Sequence, residues 1–516
     1  MVEKKNRAGR AVSLTLVIFL LPGCAADDDL LDLTGPYLGQ KPPGSVPELF
    51  MPGLISTHDL NHCVSFLEAG RVCVYSIAGK GTYSLYETNG RWTRPEIVPW
   101  RNDQGSTDFT VGPDGHTVFF QSRRPTTPVD ENLESNTWKV EWTGDGWGEP
   151  VPLPQPANTA EYHELYPSVA PDGSVYFFAV SRPDSRTGDI YRSRFVDDEY
   201  LEAERLPAPI NSDYYEVDPV IAPDGSYLLF GSGRPGGHGL LDLYVSFLRE
   251  DGRWTHPVNA GPELNPFSIP TRMSITPDGE YYFFPSRRET EVSKGEEVVT
   301  PDIERWGDYD VYWMDTSFAA DLRTALLERQ SAAVEVTREY RERGVFSAGS
   351  LLIQLCDNNQ DDYFFELSEF MIFCGDLMSA GETEEADHLY ATLLETILDE
   401  YRIRQGYAIT CILNGRVPLG LGLLKEAWVQ FPSQKPEDVF MIPFQLRMKG
   451  RAEDELAALR FFAREYPDSA FAQFDLAAAL ERYEYFEEAR EHCANALDLK
   501  PDFEAALELR ERLEPG

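Results

Sequence analysis

Pro223-Asp224-Gly225-Ser226-Tyr227-Leu228-Leu229-Phe230, followed by Arg234-Pro235-Gly236-Gly237 and Asp242-Leu243-Tyr244, is the stretch from which the fold can be read. Proline pre-sets φ for the first central position of a tight turn, aspartate tolerates the second, and glycine supplies a left-handed residue. Between two β-rich runs this predicts a hairpin. The run after the turn is almost continuously apolar, as suits a strand buried on both faces.

The phrase recurs at Pro113-Asp114-Gly115, Pro171-Asp172-Gly173 and Pro277-Asp278-Gly279, and in worn form at Glu68-Ala69-Gly70. Gly70, Gly115, Gly173, Gly225 and Gly279 are spaced by 45, 58, 52 and 54 residues. Internal repeats of this period mark propellers or solenoids, so each unit is expected to be one blade. The turn itself is read as structural, without a catalytic Asp. An Arg follows each apolar strand, at Arg124, Arg182, Arg234 and Arg288. The next strand opens with Asp189, Asp242 or Asp310, each two residues before a Tyr. Arg182–Asp189, Arg234–Asp242 and Arg288–Asp310 are therefore expected to pair within their blades, a planar guanidinium gripping a carboxylate. The second copy departs from the pattern, with Thr137-Trp138 in place of Asp-x-Tyr.

These residues resemble the TolB-type, WD-like β-propeller repeat of bacterial envelope proteins, over about half of the chain. The resemblance implies a propeller and an extracytoplasmic, protein-binding habit, and does not imply an enzyme.

Residues 1–23 are expected to be a lipoprotein signal peptide. Lys4, Lys5, Arg7 and Arg10 precede an apolar run from Ala11 to Leu21, which is signal-peptide length and too short to span a bilayer. Leu21-Pro22-Gly23-Cys24 looks like a lipobox, which implies acylation of Cys24, and Ala25 after it implies sorting to the outer membrane, facing the periplasm. Residues 24–46, with Asp27-Asp28-Asp29 and Lys41-Pro42-Pro43-Gly44, read as a tether. Pro47-Glu48-Leu49-Phe50-Met51-Pro52 then matches Pro95-Glu96-Ile97-Val98-Pro99, the end of the first blade, whereas no such strand follows Asp310-Val311-Tyr312-Trp313. The opening segment is thus expected to supply the last blade's missing strand, closing the ring as propellers do to remove open edges. That gives a β-propeller over 47–316 with five blades, six being the alternative count. A long insertion lies between Arg288 and Asp308.

From 317 to 516 the period becomes helical, starting with a charged amphipathic helix that runs from Ala320 to Arg343 and ends at Gly344. Leu476, Ala477, Leu480, Ala489, Ala496 and Pro501 fall on the spaced positions of a tetratricopeptide unit. Ile442, Leu446, Phe462 and Pro467 repeat the pattern 34 residues earlier, so the resemblance is best over 436–516. The fold class is a multidomain one: an all-β propeller, then all-α tetratricopeptide-like repeats.

The chain carries 46 Lys+Arg against 86 Asp+Glu, a formal net charge of −40. Such a surface repels phosphate backbones and anionic membrane faces, which excludes nucleic acid as a partner and leaves the lipid as the membrane contact. Besides Cys24 there are Cys63, Cys73, Cys356, Cys374, Cys411 and Cys493, none at zinc-ligand spacing. Cys63 and Cys73 flank the first hairpin, either disulfide-bonded or as two buried thiols. No nucleophile elbow, zinc-protease motif or phosphate loop is present, so neither catalytic residues, metal nor cofactor is expected.

Seven and five residues before each turn proline, at the start of the innermost strand, lie Ser106 and Asp108, Glu164 and Tyr166, Glu216 and Asp218, and Pro270 and Arg272. Of these, Asp108, Glu164, Glu216, Asp218 and Arg272 are the candidate ligand-binding residues of a channel mouth; hydrated mouth residues are the other reading. The expected function is a non-enzymatic envelope scaffold that binds envelope proteins through propeller and helical repeats. A glycan- or small-ligand-binding lipoprotein is the alternative, and a propeller glycosidase or lyase a third, which would need two carboxyl groups facing a cleft.

Overall fold

The computed structural model describes residues 30–514, less the segments 58–60, 102–106, 126–134, 266–271, 287–308, 358–362, 397–399 and 432–440 and a few single positions. The signal peptide, Cys24, Ser106, Pro270, the fifth-blade insertion and Arg288 lie outside the described residues.

Five antiparallel blades form the N-terminal half. Blade 1 is built from Asn61–Leu67, Val72–Ile77, Gly81–Thr88 and Glu96–Ile97. Blade 2 follows with Thr107–Val111, Thr117–Ser122, Asn136–Glu141 and Val151–Pro152, and blade 3 with Leu165–Val169, Val175–Ala179, Asp189–Ser193 and Glu204–Arg205. Blade 4 contains Glu216–Ile221, Tyr227–Ser232, Asp242–Phe247 and Val258–Asn259. Blade 5 takes Ser274–Ile275, Tyr281–Ser286 and Asp310–Asp315 from the end of the propeller and Glu48–Leu49 from its beginning. Glu48 sits opposite Trp313 and Leu49 opposite Tyr312, which is the expected closure. Phe50, fully buried, packs edge-on against Phe66, Phe283 and Trp313, so the seam is apolar as well as hydrogen-bonded.

The stretch expected to be a free tether is, from Leu30 onward, part of the propeller. Leu31 N–H donates to the carbonyl of Trp92 on blade 1, and Trp92 Nε1 donates back to the Gly35 carbonyl. Tyr37 is wedged among Phe66, Tyr281 and Trp313. A Cβ at Gly70 would stand 2.8 Å from the Tyr37 ring, so glycine at this turn serves both a φ of +82° and the close approach.

Cys63 and Cys73 are both buried and unpaired. Cys73 faces the blade core opposite Phe66, while the Cys63 thiol turns to the axis and donates to the carbonyls of Phe109 and Arg272.

The C-terminal half contains, among the described residues, twelve helices. They are α1 (Ser317–Glu328), α2 (Ala332–Arg343), α3 (Val345–Asp357), α4 (Leu367–Ser379), α5 (Thr383–Thr396) and α6 (Glu400–Leu413). Then come α7 (Val417–Gln430), α8 (Met441–Met448), α9 (Ala452–Glu465), α10 (Ala470–Arg482), α11 (Phe486–Leu499) and α12 (Glu504–Leu513). The single helix expected from Ala320 to Arg343 is two. Gln330–Ser331 pairs in parallel with Tyr363–Phe364, and the Ser331 hydroxyl accepts from Val334 N–H, capping α2. Gly344, at φ +84°, ends α2 as expected. No described helix is long and apolar enough to cross a membrane.

Candidate functional site: the channel mouth and its helical cap

The mouth residues separate into two sets that do different things. Glu164 and Glu216 are fully buried and turned into their own blades. Glu216 accepts from Ser212 N–H (2.9 Å), Ser212 Oγ (2.5 Å), Ser232 Oγ (2.9 Å) and Arg234 Nη2 (3.3 Å). Glu164 accepts from Thr159 Oγ1 (2.8 Å) and Arg182 Nη2 (2.7 Å). Burial pushes the Glu164 carboxyl up to about 7 against the pull of Thr159 and Arg182, and raises Glu216 against that of Arg234.

The intrablade partners therefore differ from the expected Arg–Asp pairs. Arg182 and Arg234 take the Glu at the start of the inner strand, because the antiparallel register places that end beside the end of the middle strand: Glu216 pairs with Ser232, two residues before Arg234. Asp189 is engaged instead by Arg205, and Asp242 by Gly239 N–H at 2.9 Å. Asp310 begins the equivalent strand of blade 5, and its expected partner Arg288 lies outside the described residues. The repeated Tyr serves the guanidinium as a platform: Arg182 lies 5.0 Å from the Tyr191 ring centroid and Arg234 5.0 Å from that of Tyr244. In blade 2, Arg124 stacks 4.9 Å from Trp138, so Thr137-Trp138 keeps the aromatic and drops only the acid.

A third repeated element was missed in the sequence. Asn158, Asn211 and Asn265 each accept from the backbone N–H of the third strand (Thr137, Ile190, Leu243) and return a bond to the same residue's carbonyl. Their Pro-rich approaches, Leu153-Pro154-Gln155-Pro156 and Leu206-Pro207-Ala208-Pro209, and spacings of 53 and 54 were the available signal.

Asp108, Asp218 and Arg272 are brought together. With Tyr166 they occupy equivalent inner-strand positions, all at left-handed φ between +49° and +60°. In blades 2, 3 and 4 the register slips there, turning the side chain inward. Arg272 Nε donates to Asp108 Oδ1 at 3.1 Å, and Arg272 N–H to Asp218 Oδ2 at 2.8 Å. Gln121 Nε2 also donates to Asp108, at 2.5 Å. Burial, with the Asp108 charge adding to it against the pull of Arg272, pushes Asp218 up to about 8, and its Oδ1 is buried without a hydrogen bond among the described residues. The arrangement is a plug: one arginine holds both acids, Asp108 through its guanidinium and Asp218 through its backbone N–H, and both carboxyl groups are buried.

Above the plug the chain's own helices cover blades 3 and 4. Phe178, Tyr214, Val217 and Leu241 of the propeller share one apolar core with Tyr401, Ile409, Ile412 and Leu413 of α6 and Ile442 and Leu446 of α8. Arg402 Nη2 donates to the Gly236 carbonyl at 2.6 Å, Gln445 Nε2 to the Gly233 carbonyl at 3.3 Å, and Asn259 N–H to Glu366 Oε2 at 3.3 Å. A Cβ on Gly236 would stand 2.9 Å from the Leu367 carbonyl carbon, and one on Gly406 would stand 2.9 Å from Gly236 N. Two glycines thus let a blade loop lie directly on helix backbone.

The distal helices carry a different surface. Phe471 and Phe474 of α10 each lie 4.9 Å from Phe503, with Lys500 Nζ over the Phe471 and Phe503 rings, and all are half-buried. On the neighbouring α8, Arg447 stacks on Phe444.

By architecture the chain is a five-bladed β-propeller joined to a helical-repeat domain. No protein-family model matches it, and no curated protein does. Among solved structures it is similar to YrrB, described as a TPR protein with an unusual peptide-binding site, at 17% identity over 38% of this chain and 89% of that one, TM-score 0.19. It is similar also to the tricorn protease at 12% identity, over 64% of this chain and 33% of that one, TM-score 0.28. A protein of unknown function from Dyadobacter fermentans DSM 18053 aligns at 14% identity over 47% of this chain and 79% of that one, TM-score 0.30.

Proposed function

We propose that the protein is a non-enzymatic scaffold of the bacterial cell envelope, held by an acylated Cys24, that grips a protein partner on its terminal helices. The observation that carries this reading is the half-buried aromatic cluster of Phe471, Phe474 and Phe503 with Lys500 across it. First helices of stacked helical repeats line an extended concave surface, and aromatic anchors flanked by cations are what such surfaces offer a partner's apolar and acidic side chains. The mouth carboxylates support the same choice from the other side: Glu164 and Glu216 are consumed inside their blades, and Asp108 and Asp218 are tied to Arg272. The excess of acidic residues argues against nucleic acid.

Affinity capture from crosslinked envelopes tests the reading, comparing the wild-type chain with a Phe471→Ala/Phe474→Ala variant. The expected result is loss of the specific partner set with retention in the membrane fraction, whereas Cys24→Ala should release the protein from that fraction. An unchanged partner set in the double variant would remove the helical array as the docking surface.

A further inference from the structure

At the end of the propeller remote from the helical cap, the Pro-Asp-Gly turns of blades 4 and 5 and helix α1 enclose a cleft of about 410 Å³. That volume lies in the range of small-ligand pockets. Its apolar wall is formed by the Tyr227 ring, backed at 6.0 Å by the buried Phe247, and its polar groups come from Asp224, Ser226, Asp278 and, across the cleft, Arg323.

These polar groups differ in how far they are committed. Asp278 is spent: Oδ1 accepts from Thr276 Oγ1 and Glu280 N–H, and Oδ2 accepts from Tyr37 at 3.2 Å. Asp224 uses only Oδ1, for Ser226 N–H at 2.9 Å, and its Oδ2 has no partner among the described residues. Arg323 has neither ion pair nor hydrogen bond among them, although acids outnumber bases nearly twofold in this chain. The Tyr227 hydroxyl is likewise uncommitted, and burial beside Asp224 keeps it protonated as a donor.

The geometry points to a binding site for a single neutral saccharide unit. A sugar presents hydroxyls that both donate and accept, matching a free carboxylate oxygen and the phenol donor beside it on one wall and a free guanidinium across the cleft. Its C–H face matches the aromatic wall. Charge narrows the class: two carboxylates against one guanidinium disfavour anions, and the unpaired guanidinium disfavours simple cations. The site is independent of the proposed partner surface on the distal helices.

Saturation-transfer NMR on the full-length chain from residue 25, with glucose, galactose and N-acetylglucosamine as probes, tests this. Transfer is expected from at least one sugar, with a Kd on the order of 1 mM. Asp224→Asn and Arg323→Ala change exposed side chains, so thermal melting should match wild type while affinity falls about tenfold in each. The inference is overturned if none of the three sugars shows transfer, if transfer persists undiminished in both variants, or if glycylglycine, a zwitterion, gives the stronger signal.

Discussion

Inside the ring, the guanidiniums of blades 3 and 4 meet the same partners, a buried Glu and a Tyr ring, while that of blade 2 stacks on Trp138 and donates to Ser122 Oγ and the Trp100 carbonyl. At the seam between ring and helices no such motif repeats: the glycine loop on blade 4 meets Arg402 and Gln405 of α6 and Gln445 of α8, while Asn259 and His256 meet Glu366 and Glu369. The difference teaches where specificity was placed. Repetition stabilises any blade against any other, whereas single contacts choose which two blades the helices cover.

Cutting the ring should have the largest effect. A chain lacking residues 40–55 loses the Glu48–Leu49 strand and Phe50 together, leaving blade 5 with an exposed edge. Size-exclusion chromatography should show aggregates, and a stable monomer would break the closure. The milder Phe50→Ala should cost about 3–5 kcal/mol in denaturant unfolding.

Next comes the clasp. Glu216→Gln leaves Arg234 buried beside a neutral amide and should cost about 3–5 kcal/mol, whereas Asp242→Asn leaves that arginine's pair intact and should cost less. The opposite order would restore the Arg–Asp pairing expected from the repeat.

The seam is sharpened by Gly236→Ala, which adds a Cβ at φ +92° against the Leu367 backbone and should cost about 1–3 kcal/mol. Limited proteolysis should then separate the two halves. Because Phe178, Tyr214, Val217 and Leu241 are covered by α6 and α8, residues 30–316 expressed alone should self-associate.

The smallest effect is a pH dependence of the plug. Asp218 binds its proton more tightly folded than unfolded, so its contribution is full below the ordinary carboxylate range and is lost as pH rises towards about 8. Glu164, raised to about 7, acts in the same direction. The melting temperature of wild type should fall between pH 5 and 8 more steeply than that of Asp218→Asn. Equal slopes would take Asp218 out of the titration.

The blades were legible because Pro-Asp-Gly states its own turn and the apolar run states its own burial, so their positions followed from spacing, while the count of five, with six as the alternative, rested on matching the first strand to the end of the last blade. The clasp was half legible. Arg182 and Arg234 stood out, but their partner depends on which strand ends adjoin, a fact of sheet register; Glu164 and Glu216 were noticed for the channel instead. Asn158, Asn211 and Asn265 were readable as a period and were overlooked beside the louder turn motif. The docking of α6 on blade 4 was not legible, since a Gly at 236 or 406 declares freedom in φ or space without naming what will fill it.

The pairing of Glu48 with Trp313 also fixes the order in which the protein can be finished. As the chain emerges during synthesis, the first strand must wait, unpaired, until the last blade has been made. Such distant pairing slows folding. For that interval Phe50 has Phe66 of blade 1 to pack on but neither Phe283 nor Trp313, so the newborn chain passes through a half-covered, open-ringed stage that its completed form never shows.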